Sequence, residues 1–123
     1  MAQGEEISDF IRSTFRSIWS LELLLHLSDN AGHGWSTTEL VDELRASELI
    51  VSQSLDALVA AGLVSIGADG RARYAPASDD VARLTEAARE RYRRAPNSVR
   101  RLIITSASAG LSTFADAFKY RKD

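Results

Sequence analysis

The chain has 123 residues, which is enough for one domain with its own hydrophobic core. It contains no cysteine, which excludes disulfides, thiolate chemistry and cysteine metal sites and suits a reducing cytoplasm. The net charge of −2 conceals a segregation, because residues 1–70 carry eleven acidic and three basic side chains, whereas residues 71–123 carry six acidic and twelve basic ones.

The first element predicted is one long helix over residues 6–29. Apolar side chains recur there at spacings of three and four residues, and no glycine or proline interrupts them. The second half, residues 21–27, is apolar on nearly all sides, so the helix should be covered on more than one face. We expect one covering layer from the chain's own core and another from a second subunit.

Two short helices joined by a turn are predicted next. Ser36 or Thr37 is placed to cap a helix over residues 38–45, and Ser47 is placed to cap the helix that follows. Gly62 stands where a left-handed residue would end this second helix. The apolar residues that give both helices an inward face are Leu40, Val41, Leu44, Val51, Leu55 and Leu58.

A β-hairpin is predicted after the second short helix. Residues 63–66 alternate in polarity as a strand does, Asp69 and Gly70 form a tight-turn signal, and residues 73–75 return beside the first strand. The helix, turn, helix and hairpin together occupy residues 36–76.

Two further helices are predicted over residues 78–119. Ser78 is placed to cap the first, which runs to about residue 94, and residues 96–98 end it and cap the last one. Residues 1–123 are therefore expected to form a single, mainly α-helical domain with a small β-hairpin (α+β).

The run from Val51 to Val64, V-S-Q-S-L-D-A-L-V-A-A-G-L-V, is the most specific local pattern in the chain. Together with the order of elements, it resembles the winged helix-turn-helix superfamily, and in particular transcriptional regulators of the MarR type. The resemblance implies a winged-helix core between long N- and C-terminal dimerisation helices. It also implies a homodimer that binds double-stranded DNA, with the second short helix in the major groove and the hairpin as the wing.

Candidate DNA-binding residues lie on the exposed sides of these elements. Gln53 can pair bidentately with adenine, Ser52 can donate to a base or a phosphate, and Arg71 and Arg73 would hold the wing on the minor groove or the backbone. The hydroxyls expected near phosphate at the two helix starts are those of Ser36, Thr37, Thr38 and Ser47.

The first and last helices are expected to form the dimer, as the resemblance implies. The candidate interface residues are Phe10, Ile18, Leu21, Leu25, Leu111, Phe114 and Phe118. The segregation of charge fits a polyanion bound at one end, and it equally fits self-association of the two halves. A third possibility is ligand-gated DNA binding, with an effector pocket between the winged core and the dimer helices.

The charge of the helix-turn-helix supports a different interpretation. Residues 36–66 contain five acidic side chains against Arg45 alone, although phosphate neutralisation supplies most non-specific DNA affinity. Leu49 and Ile50 beside Glu48 suit a protein partner better than a phosphate backbone. The alternative function is therefore a protein-interaction module that has lost DNA binding and docks a partner through Leu49, Ile50 and its acidic face.

No residue pattern in the sequence indicates catalysis. We expect no enzymatic activity, no cofactor and no metal, because His33 has no spaced partner and His26 lies in the apolar end of the first helix. No apolar run approaches the ~18 residues that span a bilayer, and the N-terminus lacks the features of a signal peptide. The expected location is the cytoplasm, with no membrane partner.

Overall fold

A computed structural model describes residues 2–105, with side chains from residue 4 onward. This part of the chain is mainly α-helical and has one small antiparallel sheet. The elements are α1 (Ala2–Thr14), α2 (Ile18–Asp29), α3 (Thr37–Leu44), α4 (Glu48–Ala60), β1 (Val64–Ile66), β2 (Ala72–Tyr74), α5 (Asp79–Arg94) and α6 (96–105, the last described residue).

The single helix predicted over residues 6–29 is wrong, because the chain leaves the helix after Thr14 and α2 begins at Ile18. The cause is a capping box at Ser17, which has an extended backbone. The Ser20 N–H donates to the Ser17 hydroxyl over 3.3 Å, and the Ser17 N–H donates to the Ser20 hydroxyl over 3.4 Å. These side-chain bonds give the backbone an alternative to continuing the first helix.

α2 lies at the centre of the core and packs against α3, α4 and β2 of the same chain. This packing explains why its sequence is apolar on nearly all sides: its own chain supplies cover on several of them. The core residues that α2 contributes are Leu21, Leu23, Leu24 and Leu27, all at most 1% exposed.

The caps predicted for the two short helices are present. The Ser36 hydroxyl accepts the Glu39 N–H over 3.1 Å, so α3 begins one residue earlier than expected. The Ser47 hydroxyl accepts the Ile50 N–H over 3.1 Å at the start of α4. Gly62, with φ of +76°, ends α4 in the left-handed region as predicted, and the chain turns from there into β1.

β1 and β2 pair antiparallel, with Ser65 opposite Arg73 in the register. β2 therefore begins one residue before the predicted strand, and Ala72 takes part in a second pairing. Trp35, just before α3, exchanges both backbone hydrogen bonds with Ala72, at 2.9 and 2.8 Å. The hairpin is thus attached directly to the start of α3.

α5 begins at its predicted cap, Ser78, and buries Thr85 and Ala88. The prediction that residues 96–98 separate the last two helices is wrong, since Ala95 alone interrupts the helical backbone and Pro96 already belongs to α6. Proline disfavours a helical conformation in the residue before it and is tolerated at the first helical position. None of the helices within the described residues is long and apolar enough to cross a membrane.

Candidate nucleic-acid interface

α4 has a buried side and an exposed side that the sequence predicts correctly. Val51 and Leu58 are at most 1% exposed and face α2 and α3, whereas Ser52, Gln53 and Asp56 are exposed on the opposite side. The two residues expected to contact bases therefore share one outward surface.

The hydroxyl residues at the starts of the two helices occupy different positions. Ser36 and Ser47 use their oxygens as caps, so each accepts a backbone N–H and retains its own O–H for another acceptor. Thr38 is exposed in the first turn of α3, and Thr37 is half-buried. These groups lie at the N-termini of α3 and α4, where the helix dipole favours an anion.

The two hairpin arginines flank Ala72, and each forms an ion pair with a carboxylate of the same chain. Arg71 donates through Nη1 to Glu39 Oε1 over 2.9 Å and to the Gly34 carbonyl over 3.1 Å. Arg73 donates through Nη2 to Asp69 Oδ2 over 3.1 Å. Ala72 is buried while its neighbours are half-exposed, so the arginines share the outer side of the strand as alternation predicts.

Hydrogen bonds keep both carboxylates ionised. The pKa of Glu39 is lowered, first by the backbone N–H of Ser36 and then by Arg71. The pKa of Asp69 is lowered from 3.8 to about 2, chiefly by the side-chain hydrogen bond from Arg73. The positive charge of the hairpin is therefore partly cancelled within the chain.

The Arg73 guanidinium also lies between two glycines. A Cβ atom at Gly34 would lie 2.6 Å from Arg73 Nη2, and one at Gly67 would lie 2.8 Å from Nη1. Both glycines leave space for this side chain, a contact that the sequence did not reveal. Arg73 thus lies against the loop before α3 as well as against its own hairpin.

Sequence reasoning missed Arg16, which borders the outward surface of α4. A groove of about 320 Å³ lies between the start of α2 and α4, and its lining includes Arg16, Trp19, Ile50 and Gln53. Arg16 is exposed and has no hydrogen bond or ion pair within residues 2–105. The break between α1 and α2 places Arg16 beside this groove, and the prediction of one uninterrupted helix gave no reason to expect it there.

Apolar and acidic side chains share this surface. Leu49 is 65% exposed, and Val59 is 41% exposed near the other end of α4. Glu48 and Asp56 are exposed on the same helix. The surface therefore offers aliphatic contacts and negative charge beside its hydrogen-bonding groups.

The candidate dimer residues divide into three groups. Phe10, Ile18 and Leu25 are half-buried and retain surface that a second subunit can cover. Leu21 is 0% exposed within its own chain, so it has no surface to offer a partner. The remaining candidates, which lie outside the described residues, are Leu111, Phe114 and Phe118.

The two histidines lie against one tryptophan. The ring centroids of His26 and His33 are 4.6 and 4.5 Å from that of Trp35. The His26 Nε2 and Trp35 Nε1 atoms are buried without a hydrogen-bond partner. Within residues 2–105, no group of three or more potential ligands among histidine, aspartate and glutamate is placed to hold a metal ion.

Comparisons with protein-family models, with curated proteins and with solved structures find no match to this chain.

Proposed function

We propose that the chain is a DNA-binding transcriptional regulator of the winged helix-turn-helix type, similar to MarR regulators and acting as a homodimer. One observation carries the proposal: α4 is anchored by its apolar side while Ser52 and Gln53 stay exposed on the other. In this proposal α3 and α4 are the helix-turn-helix, α4 enters the major groove, and the β1–β2 hairpin is the wing.

The start of α3 supports the proposed role of the hairpin. The Arg71–Glu39 ion pair and the backbone bonds between Trp35 and Ala72 fix the hairpin against α3. A wing held in this way keeps a constant position relative to the recognition helix. Such preorganisation lowers the entropic cost of binding a rigid duplex.

Charge sets the strength of the proposed interaction. Glu48 and Asp56 oppose a phosphate backbone, so the attraction on this side of the chain must come from Arg16, Arg45 and the hairpin arginines. Exposed ion pairs are weak, and Arg73 can therefore exchange Asp69 for a phosphate. We expect modest non-specific affinity that falls steeply as salt increases.

Fluorescence anisotropy with a pool of random duplexes tests the proposal. Each arginine that binds a phosphate adds about 0.9 to the slope of log affinity against log salt, so Arg16→Ala should reduce the slope by about two units for a dimer. Arg93→Ala is the matched control, because Arg93 is exposed on α5 and paired with Glu90 on the same helix. Absence of binding at low salt would refute the proposal.

The role of Gln53 requires a sequence-specific assay. Duplexes enriched by repeated selection on the wild-type chain should share an adenine. Replacing this adenine should cost the wild-type chain about 1–3 kcal/mol of binding free energy, whereas Gln53→Ala should no longer prefer it. If both chains prefer the same bases, Gln53 does not contribute to base recognition.

The exposure of Leu49 favours a second candidate function, a protein-interaction module that docks through Leu49, Ile50 and the acidic side of α4. Leu49→Asp should then abolish copurification of a specific partner, while Gln53→Ala retains it. Val59→Asp is the control, because Val59 is also apolar and exposed on α4 but lies near its far end. Loss of the partner in both aspartate variants would indicate non-specific hydrophobic association instead.

A further inference from the structure

A second concave site lies away from α4, between α1, α5 and α6. Its volume is about 670 Å³, which is within the range of small-molecule sites in proteins. Among the described residues, the charged ones that line it are all arginines, namely Arg12, Arg91, Arg94 and Arg101. No carboxylate of residues 4–105 is part of the lining, so this part of the chain concentrates positive charge at the cleft although the net charge of the full sequence is negative.

Arg91 is oriented by neutral oxygens. It donates through Nη1 to the Ser8 hydroxyl over 2.6 Å and through Nη2 to the Gly4 carbonyl over 3.1 Å, both from α1. These bonds fix the guanidinium across the cleft without cancelling its charge. A guanidinium carries five N–H donors, so others remain for a ligand.

Arg101 and Arg94 add charge that is not fully compensated. Within residues 2–105, Arg101 has neither a hydrogen bond nor an ion pair. Arg94 lies 3.8 Å from Glu90, at the outer limit of an ion pair. Arg12 is at the rim and binds Asp9 over 2.7 Å, so the argument does not depend on it.

The start of α6 contributes hydrogen-bond donors to the same cleft. Ser98 lies in the first turn of α6 and lines the cleft, so its hydroxyl can donate to an anion. Leu102 and Ala95 supply an apolar part of the lining. The cleft therefore combines guanidinium groups, hydroxyl groups and an apolar surface.

We propose that this cleft binds a small organic anion that carries phosphate, with a diphosphate group favoured over a single phosphate. Guanidinium groups bind phosphate oxygens through paired, charge-assisted hydrogen bonds. The three positive charges of Arg91, Arg94 and Arg101 exceed the charge of a single phosphate group, which is about −1.5 to −2 at neutral pH. The described lining has four arginines and no carboxylate, which disfavours a cation, and its apolar part suits the carbon skeleton of the ligand. The site is independent of the proposed DNA-binding function.

Isothermal titration calorimetry of the full chain at low ionic strength tests the site, with pyrophosphate and inorganic phosphate as probes. Pyrophosphate should bind more tightly than phosphate. Arg101→Gln should weaken pyrophosphate binding about tenfold, because it removes one charge-assisted pair of hydrogen bonds. Failure of both probes to bind the wild-type chain would overturn the proposal.

Arg100→Gln is the matched control. Arg100 is adjacent in sequence, but it lies over the Tyr92 ring and does not line the cleft. Its substitution should leave pyrophosphate affinity within about twofold of wild type, and thermal unfolding of both variants should confirm that each is folded. Equal weakening in the two variants would show diffuse charge attraction and overturn the site.

A short DNA duplex distinguishes a free phosphate ligand from a nucleic-acid backbone. If the proposal is right, pyrophosphate binds with Arg101-dependent affinity whether or not the chain binds the duplex. If Arg101→Gln weakens duplex binding while pyrophosphate does not bind at all, the cleft is part of a nucleic-acid surface and the proposal fails.

Discussion

At the scale of single residues, the junction of Ser36, Glu39 and Arg71 joins the start of α3 to the hairpin. The Ser36 N–H donates to Glu39 Oε1 over 2.8 Å, and Arg71 donates to the same oxygen over 2.9 Å. The sequence predicts the cap, because a serine three residues before a glutamate is a local signal. It does not predict Arg71, which is 32 residues away and reaches Glu39 only through the hairpin pairing.

We expect Ser36→Ala to destabilise the chain by about 1 kcal/mol, because the Glu39 N–H loses its acceptor. Urea denaturation measures the change. Ser52→Ala, on the exposed side of α4, should alter stability by less than about 0.5 kcal/mol. Equal effects of the two substitutions would contradict the capping role.

The Asp69 carboxylate should make folding depend on pH in a narrow acid range. Its pKa is about 2 in the folded chain against an ordinary 3.8, so the stabilisation is complete above 3.8 and is lost as the pH falls through about 2. Asp69→Asn should flatten the pH dependence of the unfolding free energy in this range.

Carboxyl NMR titration tests the cause of this shift directly. In Arg73→Gln, the pKa of Asp69 should rise toward its ordinary value, because the bond from Arg73 is the largest cause of its lowering. An unchanged Asp69 pKa in that variant would assign the shift to the backbone N–H of Arg71 instead.

At the scale of elements, apolar periodicity correctly predicted most of the helices but missed the break between α1 and α2. Ile11, Phe15 and Ile18 keep helical spacing across the break, so the pattern alone shows no interruption. The signal was the serine pair 17 and 20, whose side chains bond each other's backbone. The arginine-lined cleft between α1, α5 and α6 could not be predicted from the sequence either, because it forms only when α1 packs against α5.

The two sides of α4 should respond differently to truncation. Leu58→Ala should cost about 3 kcal/mol, because Leu58 is 0% exposed and its loss leaves a cavity. Val59→Ala removes an exposed side chain and should change the unfolding free energy by less than about 0.5 kcal/mol. Chemical denaturation measures both, and similar losses would contradict the orientation of α4.

At the scale of the whole molecule, the acidic first half and the basic second half of the chain are joined within one subunit. Arg83 pairs with Glu6, Arg89 pairs with Asp29, and the Tyr92 hydroxyl donates to Glu22 over 2.6 Å. Some of the acidic charge of the first half is therefore neutralised within the chain, because α5 lies against α1 and α2. This part of the neutralisation needs no second subunit.

We expect the melting temperature to fall as NaCl increases from about 20 to about 300 mM, because screening weakens attraction between exposed charges. The double variant Arg83→Gln with Arg89→Gln should lose most of this salt sensitivity. Arg93→Gln, whose partner lies on its own helix, should keep it. A melting temperature that rises with salt in the wild type would contradict the prediction.

The serine cap at the start of α2 has a consequence for the order in which the chain opens. Because Ser17 and Ser20 satisfy each other's backbone groups, α2 keeps its first turn when α1 detaches. α1 packs mainly on α5, and it adds Ile11 to the core. Native-state hydrogen exchange should therefore separate two cooperative units, with α1 amides exchanging through a lower-energy opening than those of α2 and α4.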